Sequence, residues 1–477
     1  MGVFQTIRKG VRAGMLAIKN NDLNDSRIIS LINDFNNSND RRWMTIGDDY
    51  YHVKNDILKR EMYKMKNGVK IPITYQANHK LAHPTYKNMV DEKLEYLFAK
   101  QYTLKCEDNA YADKVKKVLG KKFRKTLMKL GFEASNKGIG WLHPYIDESG
   151  DLKLMVIPSE QCLPIWKDNN HEEMSCFIRV YSTFEWDGNK KQTVTNVEMH
   201  TAEGPRYFKV DGKSLTPYEN LNFNTIGDKV GYWREKENEM NWGKIPFIPF
   251  KNNLVEMPDI VFVKTLVDDY DLTRSEASNF VEDVKNIYWI LKGYGKQDAM
   301  DFMQMLNEDH AINIEADEYT GVETVSPNMD ITSLVAHYEQ LKKDILEGGQ
   351  SINKALDKMG NAPSGVSLKF MYAGLDMKAN ALETEFADGF DSLLYFINKF
   401  YGISDPCKDM ELLFNRDVKI NETEKIANLN ASKSYISEDT YLSEHPYVND
   451  VEKEKAAIKV NEPFTDHINL AGVNETR

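Results

Sequence analysis

The spacing of hydrophobic and polar positions changes along the chain. Before about residue 135, apolar residues recur mostly every three or four positions, as in Asn88 to Lys100 and Tyr111 to Gly138, which predicts a mostly helical region. From Trp141 to about Phe250, apolar and polar residues alternate, and the turn sequences DESG and DGNK separate the runs. This middle region is predicted to be rich in strands.

Helical spacing returns after Pro258. One helix is predicted from Asp259 to Lys285, and a second from about Ile331 to Glu347, ending at Gly348-Gly349. Between them, NIYWILKGY, AINIEA and GVETVSP are predicted as strands and DAMDFMQMLNED as a short helix. This stretch therefore indicates a compact α/β insert.

The longest helical pattern runs from Leu368 to Phe400 without a proline. At a rise of 1.5 Å per residue, a helix of about 34 residues is a rod about 50 Å long. From Asp405 onward, a short strand in MELLFNRD, two polar helices and a polar tail are predicted. The helical and strand-rich parts follow one another instead of alternating, so the predicted fold class is α+β.

Composition describes a globular chain. Of 477 residues, 41% are hydrophobic and 28% are charged, which is unlike a disordered or a membrane protein. No window is apolar for long enough to span a membrane, and the N-terminus lacks a clean apolar core with a cleavage site. We expect neither secretion nor a membrane span, and we interpret Val3 to Ile18 as a short amphipathic surface or partner-docking helix.

The net charge of the chain limits how strongly it can bind nucleic acid. With 73 acidic and 61 basic residues the net charge is −12, so the surface as a whole repels a phosphate backbone. High-affinity DNA binding is therefore disfavoured, whereas a channel through which DNA slides is compatible with this balance. Cys106, Cys162, Cys176 and Cys407 form no CxxC pair and are expected to be reduced, buried thiols.

No catalytic motif is complete. Gly360 and Gly365 have the spacing of a phosphate-binding loop, but Val366 and Ser367 follow where lysine and Ser/Thr are required. His79 and His83 lie four apart without an HExxH sequence. The acidic run Asp268, Asp269, Asp271, Glu282 and Asp283 is predicted to form a solvated helix face, because neighbouring helical side chains diverge. We expect no enzyme, no cofactor and no metal.

The order of elements resembles that of portal proteins from siphophage-type tailed bacteriophages. The resemblance is carried by Trp141 to Trp166, Ile245 to Asn253, Leu266 to Gly295, Gly360 to Phe386 and Ile436 to Glu454. The string GNAPSGVSLKFMYAGLDMKANALETEF, at Gly360 to Phe386, is the most specific of these. The chain is therefore identified as a suspected member of that family.

The resemblance implies a division into portal regions. A wing, a stem of two helices, a clip, a tunnel loop and a crown are expected. The implied ranges are wing 1–258 with a helical N-terminal part and strands in 141–250, stem helix 259–285, clip 286–328, stem helix 329–350, tunnel loop 351–365, long channel-side helix 366–402, wing strand 403–419, and crown and tail 420–477.

It also implies a function. Such proteins form a closed ring, typically of about twelve subunits, around a channel at one capsid vertex of the virion. The implied partners are double-stranded DNA in the channel, the terminase large subunit, the major capsid and scaffolding proteins and a head-completion adaptor protein. Assembly would take place in the host cytoplasm. The ring would serve genome packaging, retention and ejection and head-tail joining, with catalysis left to the terminase.

The residues that would face DNA follow from the same resemblance. They are Asn353, Lys354, Lys358, Asn361, Pro363 and Ser364 of the implied tunnel loop. Lysines on such a loop can make weak, exchangeable phosphate contacts, but plain solvent exposure explains them equally well. Two other functions stay open: a portal-like ring of a gene-transfer agent or domesticated phage particle, and a nuclease, which a metal-dependent cleavage assay would reveal.

Overall fold

The computed structural model describes residues 25–73, 77–212, 214–217, 231–235, 238–283, 288–292, 321–325, 331–352, 365–403, 410–416, 422–448 and 451–461. These residues fall into two compact units. The first contains the described residues up to Ser351 together with Lys378–Arg416, and the second contains those of 352–377 and 417–477. The N-terminal helix predicted at Val3 to Ile18 lies outside the described residues.

The N-terminal part of the first unit contains helices α1 (Asp25–Asn36), α2 (Asn39–Tyr51), α3 (Thr85–Phe98), α4 (Asn109–Leu119) and α5 (Phe123–Lys137). Side chains cap two of them: Ser38 accepts a hydrogen bond from the Arg41 amide, and Asp108 accepts from the amides at the start of α4. The stretch from Tyr111 to Gly138, where helical spacing was noted, forms two helices, because Gly120 adopts a φ of 63° and ends the first.

The expectation of a mostly helical N-terminal part missed three strands. β1 (Tyr63–Lys66) and β2 (Val69–Pro72) form an antiparallel hairpin, and β3 (Thr103–Lys105) pairs with β16 (Glu411–Leu413). The hairpin turn is Asn67-Gly68, with φ angles of 52° and 80°. Asn-Gly is the sequence most suited to a two-residue turn in which both central residues have positive φ. Local turn chemistry therefore overrode the helical spacing nearby.

The predicted strand-rich region is present. Its strands are β4 (Ile139–Ile146), β5 (Leu152–Ile157), β6 (Cys162–Trp166), β7 (Met174–Asp187), β8 (Lys190–Thr201), β9 (Gly204–Asp211), β10 (Ser214–Pro217), β11 (Trp233–Glu235), β12 (Asn238–Met240) and β13 (Ile248–Lys251). They form a five-stranded sheet in the order β10-β9-β8-β7-β6, a three-stranded sheet β13-β4-β5 and the hairpin β11-β12.

Alternate residues of β7 enter two separate cores. Cys176 and Ile178 pack on one face of the five-stranded sheet against Ile28 and Ile32 of α1. Phe177, between them, points to the other face and joins a cluster with residues such as Trp141, Trp166 and Phe247. The period of two in the sequence thus places a helix on one side of the sheet and an aromatic cluster on the other.

After a 3₁₀ turn at Asp259–Phe262 come α6 (Lys264–Asp283), β14 (Tyr288–Lys292), β15 (Gly321–Val325), α7 (Ile331–Gly348) and the 37-residue helix α8 (Gly365–Tyr401). The predicted strand AINIEA and helix DAMDFMQMLNED lie outside the described residues. The second unit ends in α9 (Glu422–Ser432), α10 (Glu438–Glu444) and α11 (Val451–Asn461). These are three helices where two were predicted.

The α+β class is confirmed. Of the residues that the structure describes, 51% are helical and 24% are in strands, and every strand pair among them is antiparallel. Among the helices that the structure describes, none is long and apolar enough to cross a membrane. Cys162 and Cys176 are buried as expected, and burial raises the pKa of both thiols. Cys106 is partly exposed, so that expectation is wrong for it.

Candidate functional site

Helices α6 and α7 pack side by side in opposite directions. The guanidinium of Arg274 in α6 lies 4.8 Å from the ring centre of Tyr338 in α7. The Tyr338 hydroxyl donates a hydrogen bond to the Thr273 carbonyl at 3.4 Å. Toward the start of α6, the side chain of Leu266 lies within van der Waals reach of Gly348, at the end of α7. The two helices therefore form an antiparallel pair.

A two-stranded ladder lies between these helices in the chain. β14 pairs with β15 in antiparallel register from Tyr288 opposite Val325 to Lys292 opposite Gly321. The resemblance to portal proteins implied a clip in this place, flanked by two stem helices. In the structure, the ladder lies between helices that span Lys264–Asp283 and Ile331–Gly348.

An extended segment, residues 77–83, runs along α6, and we call it the strap. Every second strap amide donates a hydrogen bond to a side chain on every fourth residue of α6: His79 to Asn279 at 2.6 Å, Leu81 to Ser275 at 2.9 Å and His83 to Asp271 at 3.0 Å. Four helical residues advance about 6 Å and two extended residues about 6.6 Å, so the two periods match. Three strap amides and three polar side chains of α6 thereby satisfy one another.

The two strap histidines contact carboxylates through their rings. His83 Nδ1 lies 2.7 Å from Asp271 Oδ1, and His79 Nε2 lies 2.5 Å from Glu282 Oε2. Asp271 also accepts a hydrogen bond from Asn55, and burial raises the pKa of its carboxyl group. The prediction of a solvated acidic face is wrong for Asp271, which is 0% exposed. The strap covers that part of the helix.

The other acidic residues of this run point in different directions. Asp268 pairs with Lys264 at 2.6 Å, and Asp269 lies half exposed near His337. The structure does not describe the side chain of Asp283. Within the described residues, no three His, Cys, Asp or Glu side chains are placed to hold a metal ion.

A shared carboxylate lies at the base of the helix pair. The Asp259 carboxylate oxygen Oδ2 is 2.6 Å from Nζ of Lys93 in α3 and 3.1 Å from Nζ of Lys378 in α8. Asn252 donates to the other oxygen at 2.9 Å. The two lysine side chains are only 1% and 12% exposed. We call these four residues the base cluster.

The charges of the base cluster do not balance. Burial raises the pKa of Asp259, but the positive charges of Lys378 and Lys93 outweigh this effect and lower it to about 2. Burial lowers the pKa of Lys93 to about 8, even though Asp259 favours its charged form. One carboxylate therefore neutralises two ammonium groups incompletely in a region with little water.

The base cluster also holds the end of α7. Lys378 Nζ donates to the carbonyl oxygen of Gly349 at 3.1 Å. Ser351 donates to the carboxylate of Glu92 in α3. A Cβ atom on Gly349 would lie 1.5 Å from the methyl carbon of Met89, so the Met89 side chain packs directly against this glycine. The chain is thus fixed immediately before the segment that was predicted to face DNA.

That segment itself is outside the described residues. It contains every site residue that the resemblance implied: Asn353, Lys354, Lys358, Asn361, Pro363 and Ser364. Most of the sequence that was compared with a phosphate-binding loop lies there too, and Gly365 begins α8.

Sequence reasoning missed the base cluster. Lys93 and Asp259 are 166 positions apart, and no local pattern connects them. The strap had a weak signal, because Asp271, Ser275 and Asn279 recur every four residues on the predicted helix. A polar stripe of that spacing indicates that something polar packs there.

The chain is similar in sequence to known proteins over most of its length. A family model described as "Phage portal protein, SPP1 Gp6-like" matches residues 32–462. The portal protein of Clostridium phage phiCD119 is 31% identical over 418 residues, which cover 85% of this chain and 89% of that protein. The portal protein of Bacillus phage SPP1 is 26% identical over 422 residues, covering 87% and 82%.

Solved structures resemble the chain more distantly. The neck of an empty gene-transfer-agent particle, computed with C6 symmetry, has a TM-score of 0.43 at 9% identity and covers 75% of this chain and 88% of its own. The neck of a native gene-transfer-agent particle, computed with C12 symmetry, has a TM-score of 0.40 at 10% identity and covers 76% and 89%.

Proposed function

Because this chain belongs to the phage portal protein family, SPP1 Gp6-like, we propose that it is the ring-forming DNA conduit at one capsid vertex of a tailed phage. The observation that carries the proposal is 31% identity to a phage portal protein across 85% of the chain. Portal family proteins are structural, and we propose that this chain performs no catalysis. The ring serves genome packaging, retention and ejection and head-tail joining.

Each part of the fold has a role under this proposal. The antiparallel pair α6 and α7 is the stem, and the β14-β15 ladder belongs to the clip. The sheets of 139–251 and the N-terminal helices form the wing, and α9 to α11 belong to the crown. The segment between Ser351 and α8 is the tunnel loop. Lys378 supports this assignment, because it bonds Gly349, two residues before the loop, and Asp259 at the start of the stem.

The proposed partners follow from these roles. The terminase large subunit and later a head-completion adaptor protein meet the clip, and the major capsid and scaffolding proteins surround the wing. Double-stranded DNA occupies the channel. The ring forms in the host cytoplasm and ends in the virion. A net charge of −12 agrees with a conduit that lets DNA slide instead of holding it.

Native mass spectrometry and negative-stain imaging of one purified sample test the ring. We expect closed particles of about twelve subunits with a central hole. A protein that remains monomeric both alone and when co-expressed with its capsid proteins would contradict the proposal. A metal-dependent DNA cleavage assay on the same sample tests the absence of catalysis.

The loop assignment needs a separate test. We expect a Lys354→Ala and Lys358→Ala double variant to form normal rings but to change how firmly packaged DNA is retained, because phosphate contacts are lost. Lys167→Ala is the matched control, since Lys167 is an exposed lysine on a surface turn, paired with Glu173. Equal retention by the double variant and the control would remove these lysines from the channel.

A further inference from the structure

The hairpin β1-β2 stands out from the rest of the first unit. We call Tyr63–Pro72 the arm. Of its ten residues only Ile71 is even partly buried. Tyr63, Met65 and Val69 are 48%, 60% and 62% exposed. Large apolar side chains on a projecting hairpin indicate a surface that another molecule covers.

The arm is exposed, but its base is held firmly. On the way in, Arg60 forms an ion pair with Glu276 of α6. On the way out, His79 of the strap is bonded through its amide to Asn279 and through its ring to Glu282. Both legs of the arm are therefore fixed to the second half of α6. A surface presented in this way loses little conformational entropy when it binds.

The arm is a hairpin without a third strand among the described residues. Within the described residues, β1 pairs only with β2, and an isolated two-stranded hairpin is marginally stable in water. The register places Tyr63 and Met65 on one face and Val69 and Ile71 on the other. Both faces thus carry apolar groups, and both outer edges offer backbone hydrogen-bonding groups.

The positive charge of the arm indicates which molecule covers it. The arm contains Lys64, Lys66 and Lys70 and no acidic residue, whereas the chain as a whole carries −12, so the other residues together carry −15. A second copy of this chain is therefore a complementary acidic partner. Duplex DNA fits less well, because phosphates would leave the arm's apolar residues uncovered. A ring of such lysine-rich arms on DNA would also oppose sliding.

We propose that the arm of one copy docks on the surface of the neighbouring copy and is a main contact of the ring. This inference rests on the ring proposed above. A closed ring needs a heterologous contact, in which one patch of a subunit meets a different patch of the next. The arm supplies the first patch, and because α6 holds its base, the same contact fixes the position of the neighbour relative to α6.

Two arm variants test the inference in the full chain: Met65→Asp with Val69→Asp, and Lys66→Glu with Lys70→Glu. We expect each to fold with a wild-type circular dichroism spectrum and melting curve, because the arm is exposed. Each should raise the protein concentration needed for ring assembly by about tenfold or more in native mass spectrometry. Met155→Asp, at an exposed methionine of β5, is the control and should assemble like wild type.

Cross-linking identifies the occupant directly. Rings mixed from ¹⁴N- and ¹⁵N-labelled chains, treated with a zero-length amine-to-carboxylate cross-linker, should give mixed-isotope links from Lys66 or Lys70. Links within single chains only, or arm variants that form rings as readily as wild type, would overturn the inference and leave the ring proposal intact. Arm variants with normal rings but weaker DNA retention would assign the arm to DNA and overturn it as well. A wild type that stays monomeric both alone and when co-expressed with its capsid proteins would end both proposals.

Discussion

Lys378 and Asp259 form a largely buried ion pair, with 3.1 Å between Nζ and Oδ2, that ties helix α8 to the turn from which α6 starts. The same ammonium group donates to the carbonyl of Gly349 at the end of α7. Three helices therefore meet at one lysine. Lys93 shares the carboxylate from α3, which brings a fourth helix to the same point.

Replacing Asp259 by Asn should destabilise the first unit strongly. The substitution leaves two lysines in a buried site without a negative charge, and breaking a buried pair in this way costs about 3 to 5 kcal/mol. Urea denaturation followed by circular dichroism measures the free energy of unfolding. Lys378→Met is the control and should cost less, because it leaves Lys93 paired with Asp259. Equal losses for the two variants would contradict the shared-carboxylate account.

Mild acid should destabilise the sheets of residues 139–251 through two histidines. Burial lowers the pKa of His200 below its usual value and that of His143 to about 3. The unfolded chain, with histidine pKa values near 6.5, then binds more protons than the folded chain below that pH. The free energy of unfolding should therefore fall as the pH drops from about 6.5 to 5, by about 1 to 2 kcal/mol through His143, and His200 acts in the same direction.

Thermal melts of wild type, His143→Gln and His52→Gln between pH 7 and 5 check this dependence. His143→Gln should flatten the pH dependence, because it removes one of the two groups. His52 is half exposed at the end of α2, and its variant should follow wild type. If the wild-type melting temperature is the same at pH 7 and pH 5, the histidines do not act as described.

Gly138→Ala should be far more damaging than Gly150→Ala. Both glycines have positive φ, 89° and 81°, so each substitution carries a backbone cost of about 1 to 2 kcal/mol. A Cβ on Gly138 would also lie 2.2 Å from the carbonyl oxygen of Glu256, whereas nothing lies within 4 Å at Gly150. The free energies of unfolding of the two variants separate steric overlap from backbone strain. Similar values would show that the turn near Glu256 moves away at little cost.

Ser275→Ala should loosen the strap without unfolding α6. The Ser275 hydroxyl accepts the amide hydrogen of Leu81 at 2.9 Å. Losing a hydrogen bond worth about 1 kcal/mol should speed exchange of that amide several-fold. Hydrogen–deuterium exchange measures this rate. Thr273→Ala is the control, because the Thr273 hydroxyl bonds only within α6, to the backbone and side chain of Asp269, and should leave Leu81 unchanged.

Local patterns explain what was predicted correctly and what was not. The long helix α8 and the pair α6 and α7 were found because apolar spacing of three and four is a property of neighbouring residues. The arm was not predicted, although Asn67-Gly68 is a strong hairpin signal, because the helical spacing of the surrounding region favoured helices. Gly120 divides the helical stretch from Tyr111 to Gly138 through a positive φ, which the spacing of apolar residues does not reveal.

The sequence by itself determined the α+β class, the helix and strand periods and the portal family. Each of these is encoded in residues that lie close together in the chain or in contiguous sequence segments. The tertiary structure alone decided that Lys93, Lys378 and Asn252 share one carboxylate and that the strap bonds to every fourth residue of α6. Apart from that between Asn252 and Asp259, which lie seven positions apart, those contacts join residues more than a hundred positions apart. Burial makes these contacts important for stability. A charged or amide group is hydrated in water, and once water is excluded it needs a hydrogen-bonding or charged partner in the protein.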